Sequence, residues 1–204
     1  MAESYVIGVD FGSDSVRVLI VNTETGENVG QGVACYPRWK AGLYQHPEYS
    51  IFRQHPLDYL ESLEKCITTA LAELTEEQKD HVIGIGVDTT GSTPVPVDKN
   101  GTPLALLDEF AENENAMFFL WKDHAAAAEA DEINKLFRNN SENDYTKYQG
   151  DYSAEWYWAK ILYAVRHDEA IRQAAYTWEE HCDWMTGILC GETRPEKIYH
   201  SACA

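Results

Sequence analysis

The sequence predicts an α/β fold on the basis of three observations. Residues 5–36 contain three short runs rich in β-branched residues and separated by polar turns, which is typical of an antiparallel meander. An apolar run at 82–88 predicts a further strand. Between them a helix is predicted, because apolar residues recur at helical spacing after Pro56, at Leu60, Leu63, Ile67, Leu71 and Leu74.

The connections around this helix are predicted from their polar residues. Tyr36 to Arg53 is polar and contains proline, which indicates a loop crossing the sheet edge. Thr75 and Gln78 have the spacing of a capping box for one more short helical turn. Val95 to Val97 is predicted to be extended, and a turn is predicted at residues 98–101.

The second half of the chain predicts mainly helices. One is expected from near Ala116 through the alanines at 125–128 to about Phe137, followed by a polar loop at 139–149. Ser153 is expected to cap a second helix with one apolar face. Two more helices are predicted near 168–175 and 180–190, the last ending at Gly191. The apolar face of the helix capped by Ser153 is expected to consist of Trp158, Ile161, Leu162 and Val165.

The turn between the first two strands carries candidate chemistry. Asp10 ends the first strand, where a carboxylate can hold a hydrated Mg²⁺. Gly12 allows a ligand to approach the backbone, and Ser13 and Ser15 offer hydroxyls. Arg17 supplies a planar cation suited to phosphate oxygens. The pattern predicts a phosphate-binding turn, although Asp, Gly and Ser also occur in turns for backbone reasons alone.

A second turn repeats this pattern. Gly86, Val87 and Asp88 close an apolar run as Gly8, Val9 and Asp10 do, and a glycine flanked by hydroxyls follows at 89–93. Two such turns at strand ends favour a pair of ligand-binding turns over two ordinary hairpins.

Composition excludes several classes of function. The formal net charge of −18 argues against binding to the nucleic-acid backbone and against docking on anionic lipid. An anionic ligand such as ATP would therefore need local cations and Mg²⁺. The five cysteines are widely spaced and predict reduced thiols of a cytoplasmic protein. No signal peptide and no membrane-spanning run is recognised.

The segment 10–17, Asp-Phe-Gly-Ser-Asp-Ser-Val-Arg, resembles the amino-terminal phosphate motif of the FGGY carbohydrate kinases, which belong to the actin-like ATPase superfamily. Segments 84–94, 120–124 and 153–156 resemble that family too, and most closely its kinases for L-ribulose. The resemblance runs from the first strand to the last residue. It implies an RNase H-like mixed sheet with flanking helices and helical insertions.

The resemblance implies ATP-dependent phosphorylation of a ketopentose, L-ribulose, to the 5-phosphate. It implies Asp10 as a catalytic and Mg²⁺-binding residue, Arg17 as a catalytic and phosphate-binding residue, and Gly12, Ser13 and Ser15 as further phosphate contacts. The residues implied to bind the sugar are Gly91, Ser92, Trp121, Lys122, Asp123 and Tyr152. The alternative for Trp121 is that it packs in the core while Lys122 and Asp123 face solvent.

The pair Gly91-Ser92 bears on the sugar. Glycerol kinases carry Arg-Glu here and xylulokinases carry Met-His, whereas Gly91 leaves room and exposes a backbone N–H. Another ketose or polyol remains an alternative substrate. Family kinases are longer, so the chain is expected to be an amino-terminal part that lacks the second actin-like domain, the general base and catalytic activity of its own. A sugar- or phosphate-binding module is then the alternative function, and apolar surface at the cut would favour a homodimer.

One further cluster, His181-Cys182-Asp183, superficially suggests a nucleophile with its base. Neighbouring residues in a helix point in different directions, so these three side chains are not expected to converge. A Cys–His catalytic role is therefore not predicted.

Overall fold

The computed structural model describes residues 3–140 and 142–201. Nine strands are described: β1 Tyr5–Phe11, β2 Ser15–Asn22, β3 Asn28–Cys35, β4 Gln45–His46, β5 Ile51–Gln54, β6 Val82–Thr89, β7 Pro94–Val97, β8 Phe118–Phe119 and β9 Thr177–Glu180. Eight α-helices are described: α1 Pro37–Lys40, α2 Pro56–Leu71, α3 Glu76–Asp80, α4 Ala127–Asn139, α5 Thr146–Gln149, α6 Tyr157–His167, α7 Glu169–Ala174 and α8 His181–Cys190. The chain divides into two compact units.

The first unit comprises the chain up to Leu43 together with His55–Thr90. Its sheet has the strand order β3-β2-β1-β6, with β1 antiparallel to β2 and parallel to β6. The predicted meander, helix and returning strand are all confirmed. A parallel return is possible because α2 and α3 lie between β3 and β6 and provide the crossover.

Helix α2 packs on one face of this sheet, against β2 and β3. The sheet can approach closely because Gly30 and Gly32 present no side chain to the helix. A Cβ on Gly32 would lie 2.4 Å from the carbonyl oxygen of Cys66. Of the residues predicted for the apolar face, Leu63 is buried on α2 and Leu74 is buried beyond the end of the helix, whereas the other three are only half-buried. The buried face of α2 is centred on Tyr59, Ser62, Leu63, Cys66 and Ala70.

The capping box of α3 is confirmed. The Thr75 side chain accepts from the N–H of Gln78, and the Gln78 side chain accepts from the N–H of Thr75. The prediction of a loop over Tyr36 to Arg53 is wrong in part, because α1, β4 and β5 fall in it. Helix α1 is stabilised by the buried Asp58 carboxylate, which accepts from the N–H groups of Arg38 and Trp39. Asp58 is distant in sequence from α1, so no local sequence pattern indicates this contact.

The second unit comprises Tyr44–Gln54 together with the chain from Gly91 onward. Strands β4, β5 and β8 form one small sheet, and β7 pairs with β9 in antiparallel register. The predicted Asp98 turn is confirmed, with Gly101 at φ +76° and its N–H bonded to the Asp98 carbonyl. Helices α7 and α8 are also confirmed, and α8 ends at Gly191 in the left-handed region.

Three helical predictions for this unit are corrected. The helix expected from Ala116 begins only at Ala127, because Phe118–Phe119 is extended and pairs with β5. The loop at 139–149 contains the short helix α5. Helix α6 buries Tyr157, Lys160 and Ala164 rather than the face containing Trp158, which is 58% exposed. The first and third errors arise because partners distant in sequence, β5 for Phe118–Phe119 and the Ser92 carbonyl for Lys160, determine the local structure.

Candidate functional site

The hairpin between β1 and β2 positions the first predicted site. In its register Asp10 lies opposite Arg17, and Phe11 lies opposite Val16. The N–H of Gly12 donates to the carbonyl of Ser15 at 3.0 Å and closes the turn. Side chains alternate along a strand, so Phe11 and Val16 are buried while Asp10 and Arg17 face the other side of the sheet.

Asp10 and Arg17 form an ion pair on this side, with Arg17 Nη1 3.3 Å from Asp10 Oδ2. Their side chains are 48% and 52% exposed, so water screens the pair and it adds little to stability. Both groups are therefore accessible to a ligand. Gly12 is required for this arrangement, because a Cβ there would lie 2.5 Å from Arg17 Nη2.

The two serines of this turn differ in environment. Ser15 is 8% exposed, and its hydroxyl donates to Asp14 Oδ1 at 2.9 Å. This geometry does not favour the predicted contact between Ser15 and a phosphate. Ser13 is half-buried at the tip of the turn and keeps the candidate role.

Asp88 lies beside Asp10, since the two are register partners in the parallel pair β1–β6. Asp88 is exposed, and it lines the same depression as Asp10 and Arg17, with a volume of about 720 Å³. The Gly-Val-Asp pattern occurs at both positions, but no role for Asp88 was predicted from it. The repeat was the available signal, because equivalent positions in paired parallel strands lie side by side.

These carboxylates fit the way Mg²⁺ is bound. Mg²⁺ usually takes one or two carboxylates, keeps several waters and shares substrate phosphates. Two exposed aspartates next to an arginine provide such a donor set. Among residues 3–140 and 142–201, no cluster of three or more His, Cys, Asp or Glu side chains is arranged to hold a metal by itself.

Two of the predicted sugar-binding residues, Ser92 and Tyr152, lie in one pocket of the second unit. The pocket has a volume of about 380 Å³. The Tyr152 hydroxyl accepts from the N–H of Trp158 at 3.0 Å, and its ring packs edge to face on Trp156 with centroids 4.8 Å apart. The remaining lining residues are mostly aromatic: Phe137, Tyr145, Gln149, Tyr157 and Trp158, with Trp156. Flat apolar faces of this kind suit a sugar ring or chain.

Gly91 directly precedes Ser92, which lines this pocket, and Gly91 is exposed. A Cβ built on Gly91 would meet no atom within 4 Å, so the space beside it is open. This agrees with the expectation that Gly91 leaves room for a ligand.

Trp121, Lys122 and Asp123 form a turn between β8 and α4. Trp121 is 41% exposed, which contradicts the alternative that it packs in the core. Lys122 Nζ lies 4.4 Å from the centroid of the Phe52 ring, so its charge already has an aromatic partner. Lys122 remains half-exposed beside Trp121.

Asp123 occupies a different position from the one expected. It is fully buried, with Oδ2 accepting from Arg53 Nη1 and from the N–H of Phe52, and with Oδ1 accepting from the N–H of Ala125. The Arg53 guanidinium lies over the Phe119 ring at 3.5 Å. A carboxylate engaged in this way fixes the turn, and the geometry does not favour its direct contact with a sugar.

The His181-Cys182-Asp183 cluster does not form a nucleophile–base pair. Burial lowers the pKa of His181 to about 3 and raises the pKa of the Cys182 thiol to about 11. A thiol that stays protonated beside an imidazole that stays neutral lacks the ion pair of a Cys–His site.

The chain matches the model of the FGGY family of carbohydrate kinases, N-terminal domain, over residues 5–197. The chain belongs to this family. The resemblance to this family inferred from segments 10–17 and 84–94 is confirmed.

Curated relatives in the family are named ribulokinases. The chain is 51% identical over 203 residues to the ribulokinase of Vibrio parahaemolyticus serotype O3:K6, covering 99% of this chain and 36% of the relative. It is 38% identical over 196 residues to the ribulokinase of Mycolicibacterium smegmatis, covering 93% and 35% respectively. The chain thus spans about a third of the length of these relatives.

Solved structures of FGGY sugar kinases share the fold. The xylulose kinase of Bifidobacterium adolescentis superimposes with a TM-score of 0.71 at 18% identity, covering 97% of this chain and 38% of that one. A glycerol kinase of Plasmodium falciparum with ADP gives a TM-score of 0.61 at 16% identity, covering 84% and 30%. The predicted actin-like α/β fold with a mixed sheet is confirmed.

Among the described residues, no helix combines the length and the apolar character needed to cross a bilayer.

Proposed function

We propose that this chain forms the amino-terminal part of a ribulokinase, which transfers the γ-phosphoryl group of ATP to the terminal hydroxyl of L-ribulose. The products are ADP, L-ribulose 5-phosphate and a proton. The observation that carries the proposal is the cluster of Asp10, Asp88 and Arg17 on one exposed side of a sheet. The choice of L-ribulose is supported by the 51% identical relative named ribulokinase.

In this proposal the first unit handles the phosphates. Phosphoryl transfer depends mostly on positioning and on stabilising charge. The Arg17 guanidinium donates to phosphate oxygens, and Ser13 at the tip of the turn adds a hydroxyl. Gly12 keeps the space into which Arg17 extends. Asp10 and Asp88 would hold a hydrated Mg²⁺, which neutralises charge on the phosphates when bound.

The second unit recognises the sugar. Trp121 offers an exposed apolar face and Lys122 a cation beside it, while Gly91, Ser92 and Tyr152 lie at or next to the aromatic pocket. Asp123 contributes by holding the Trp121 turn through Arg53 rather than by touching the sugar. The base that takes the hydroxyl proton is expected in the remaining length of the enzyme, as in family kinases.

The test uses the full-length protein that contains this chain. ADP formation is measured with Mg²⁺-ATP and a panel containing L-ribulose, D-xylulose and glycerol. We expect the largest kcat/KM with L-ribulose. A larger kcat/KM with another ketose or polyol would replace the proposed substrate but keep the kinase, whereas no ADP formation with any sugar would overturn the kinase function.

A binding module is the second candidate for the 204-residue chain alone. It is favoured by the observation that the chain spans only 36% of the Vibrio relative. Titration calorimetry of this chain with L-ribulose and with Mg²⁺-ATP separates the possibilities. Binding without turnover is the expected result, and ADP formation by the chain alone would contradict it.

A further inference from the structure

The peptide group between Ser92 and Thr93 is held at both ends by buried charged side chains. Its carbonyl oxygen accepts from Lys160 Nζ at 2.5 Å, and its N–H donates to Glu180 Oε1 at 2.6 Å. Ser92 itself has φ +52°, in the left-handed region that a non-glycine residue rarely adopts. A cation and an anion thus hold one strained peptide.

Lys160 connects this peptide to the Trp121 turn. It lies on α6, is fully buried, and its Nζ also donates to the carbonyl of Leu120 at 2.9 Å and lies 3.5 Å from the carbonyl of Trp121. One ammonium group therefore holds carbonyls from two segments that are 28 or more positions apart in sequence. Burial lowers the pKa of Lys160 to about 7, and the nearby Glu180 opposes that shift.

Glu180 completes the arrangement from the other side. It ends β9, is 2% exposed, and is the register partner of Pro94 in β7. Burial raises the pKa of its carboxyl group, while the bond from Thr93 and the charge of Lys160 act in the opposite direction. Oppositely charged groups on α6 and β9 thus compensate each other across the peptide.

We infer that Lys160 and Glu180 are positioning residues of the sugar site, which lock the Ser92–Thr93 peptide and the Trp121 turn in the geometry that binds the ligand. This inference rests on the proposed function, because Ser92 and Trp121 are the proposed sugar contacts. Neither Lys160 nor Glu180 is exposed to a sugar, so they act through the backbone.

The physical reason is the strain at Ser92. A non-glycine residue in the left-handed region persists only when its surroundings fix it. Without the ammonium group, the Ser92 carbonyl loses its donor and the peptide can rotate to relieve φ. That rotation turns Gly91 and Ser92 away from the pocket, while the Asp10 turn belongs to the other unit and keeps its structure.

The first measurement does not involve the sugar. Backbone amide hydrogen exchange at Thr93 is compared between the wild-type chain and K160M, which keeps the length of the side chain but removes the ammonium. We expect exchange at Thr93 to be at least about tenfold faster in K160M, with Val97 in β7 unchanged within about twofold. Unchanged exchange at Thr93 would overturn the inference.

The second measurement is the Kd for each ligand, obtained by calorimetry on the full-length protein. K160M should raise the Kd for L-ribulose by more than about tenfold and leave the Kd for Mg²⁺-ATP within about twofold. K160R, which keeps a buried cation, and E180Q, which keeps an oxygen acceptor for Thr93, should each raise the Kd for L-ribulose by less than K160M does. Equal losses for both ligands would indicate a merely structural role.

A matched control separates positioning from general destabilisation. I171V removes one methyl group from a fully buried residue of α7 in the same unit and should lower the stability of the protein modestly. Its Kd for L-ribulose should stay at the wild-type value. If wild-type protein does not bind L-ribulose, the proposed substrate fails, and exchange at Thr93 still decides whether the peptide is locked. If K160M does not fold, K160R and E180Q replace it: faster exchange at Thr93 together with a higher Kd for L-ribulose alone supports the inference, and wild-type values of both overturn it.

Discussion

Asp10 and Asp88 are register partners in the parallel strands β1 and β6, and both carboxylates face the same depression. Each aspartate follows a Gly-Val pair, so the repeat in sequence becomes an adjacency in space. Adjacent carboxylates repel one another unless a cation lies near. Arg17 lies 3.3 Å from Asp10, and a divalent ion would add to that compensation.

The first prediction concerns this pair. In the full-length enzyme, D10A should lower kcat by at least about 100-fold with little change in the affinity for sugar, because the metal and phosphate lose their carboxylate. D88N should raise the Mg²⁺ concentration required for half-maximal rate. Steady-state kinetics with Mg²⁺ titration measures both, and near-normal turnover of D10A would refute the metal role.

The second prediction concerns Gly12. In G12A the new methyl group would lie 2.5 Å from Arg17 Nη2 and displace the guanidinium. Because the far end of a flexible side chain can move easily, stability should change little, while the KM for Mg²⁺-ATP should rise by about tenfold. R17M is the matched variant and should give a similar increase. A normal KM in both variants would remove Arg17 from the phosphate site.

The third prediction concerns the approach of β3 to α2. In G32A a Cβ would lie 2.4 Å from the Cys66 carbonyl oxygen and 3.2 Å from Cys66 Sγ, both in the interior. Backbone must then move, and the free energy of unfolding should fall by about 1–3 kcal/mol. G8A is the control, since a Cβ there meets no atom within 4 Å. Urea denaturation of both variants measures the difference, and equal stabilities would contradict the close approach.

The fourth prediction concerns Glu179, a fully buried carboxyl group whose two oxygens have no hydrogen-bond partner among residues 3–140 and 142–201. Burial, and then the charge of Asp183, raise its pKa to about 8. In the unfolded chain this carboxyl group has its ordinary pKa. At a pH between that pKa and about 8, unfolding therefore releases a proton from Glu179. Stability is therefore highest below the ordinary pKa and decreases as the pH rises toward 8.

Replacement of this carboxyl by an amide removes that pH dependence. The free energy of unfolding of E179Q relative to wild type should increase by about 1–3 kcal/mol between pH 5 and pH 8. E48Q, at an exposed glutamate, should show no such increase. Denaturation at several pH values measures it, and parallel curves for E179Q and wild type would show that Glu179 is ionised in the folded state.

Much of the first unit could be predicted from the sequence because its signals are local. The hairpin at Asp10, the capping box at Thr75 and the start of α2 at Pro56 depend on residues within a few positions of one another. The return of β6 to the sheet of this unit was implied by the resemblance to the family rather than by a local signal. The residues of α2 that are buried could not be predicted. They depend on the close packing of the helix against Gly30 and Gly32 of β3.

The second unit was harder to predict because its contacts join distant segments. The run Phe118–Leu120 resembled the start of a helix, yet it is extended and packs with β5, which precedes it by more than 60 positions. The sequence predicts Asp123 to contact the sugar, whereas in the structure its carboxylate is paired with Arg53. The burial of Lys160 had one local indication, because Lys160 lies three residues after Tyr157 and therefore on the same face of α6.

The sequence by itself determined the family, the α/β class and the two Gly-Val-Asp turns, because these reside in short segments whose residues act on their own neighbours. Only the tertiary structure decided which side chains are available for chemistry. It left Asp10, Arg17 and Trp121 accessible, placed Asp88 beside Asp10, and buried Asp123, Lys160 and Glu180. The physical reason is that the exposure of a side chain depends on which distant segments pack over it.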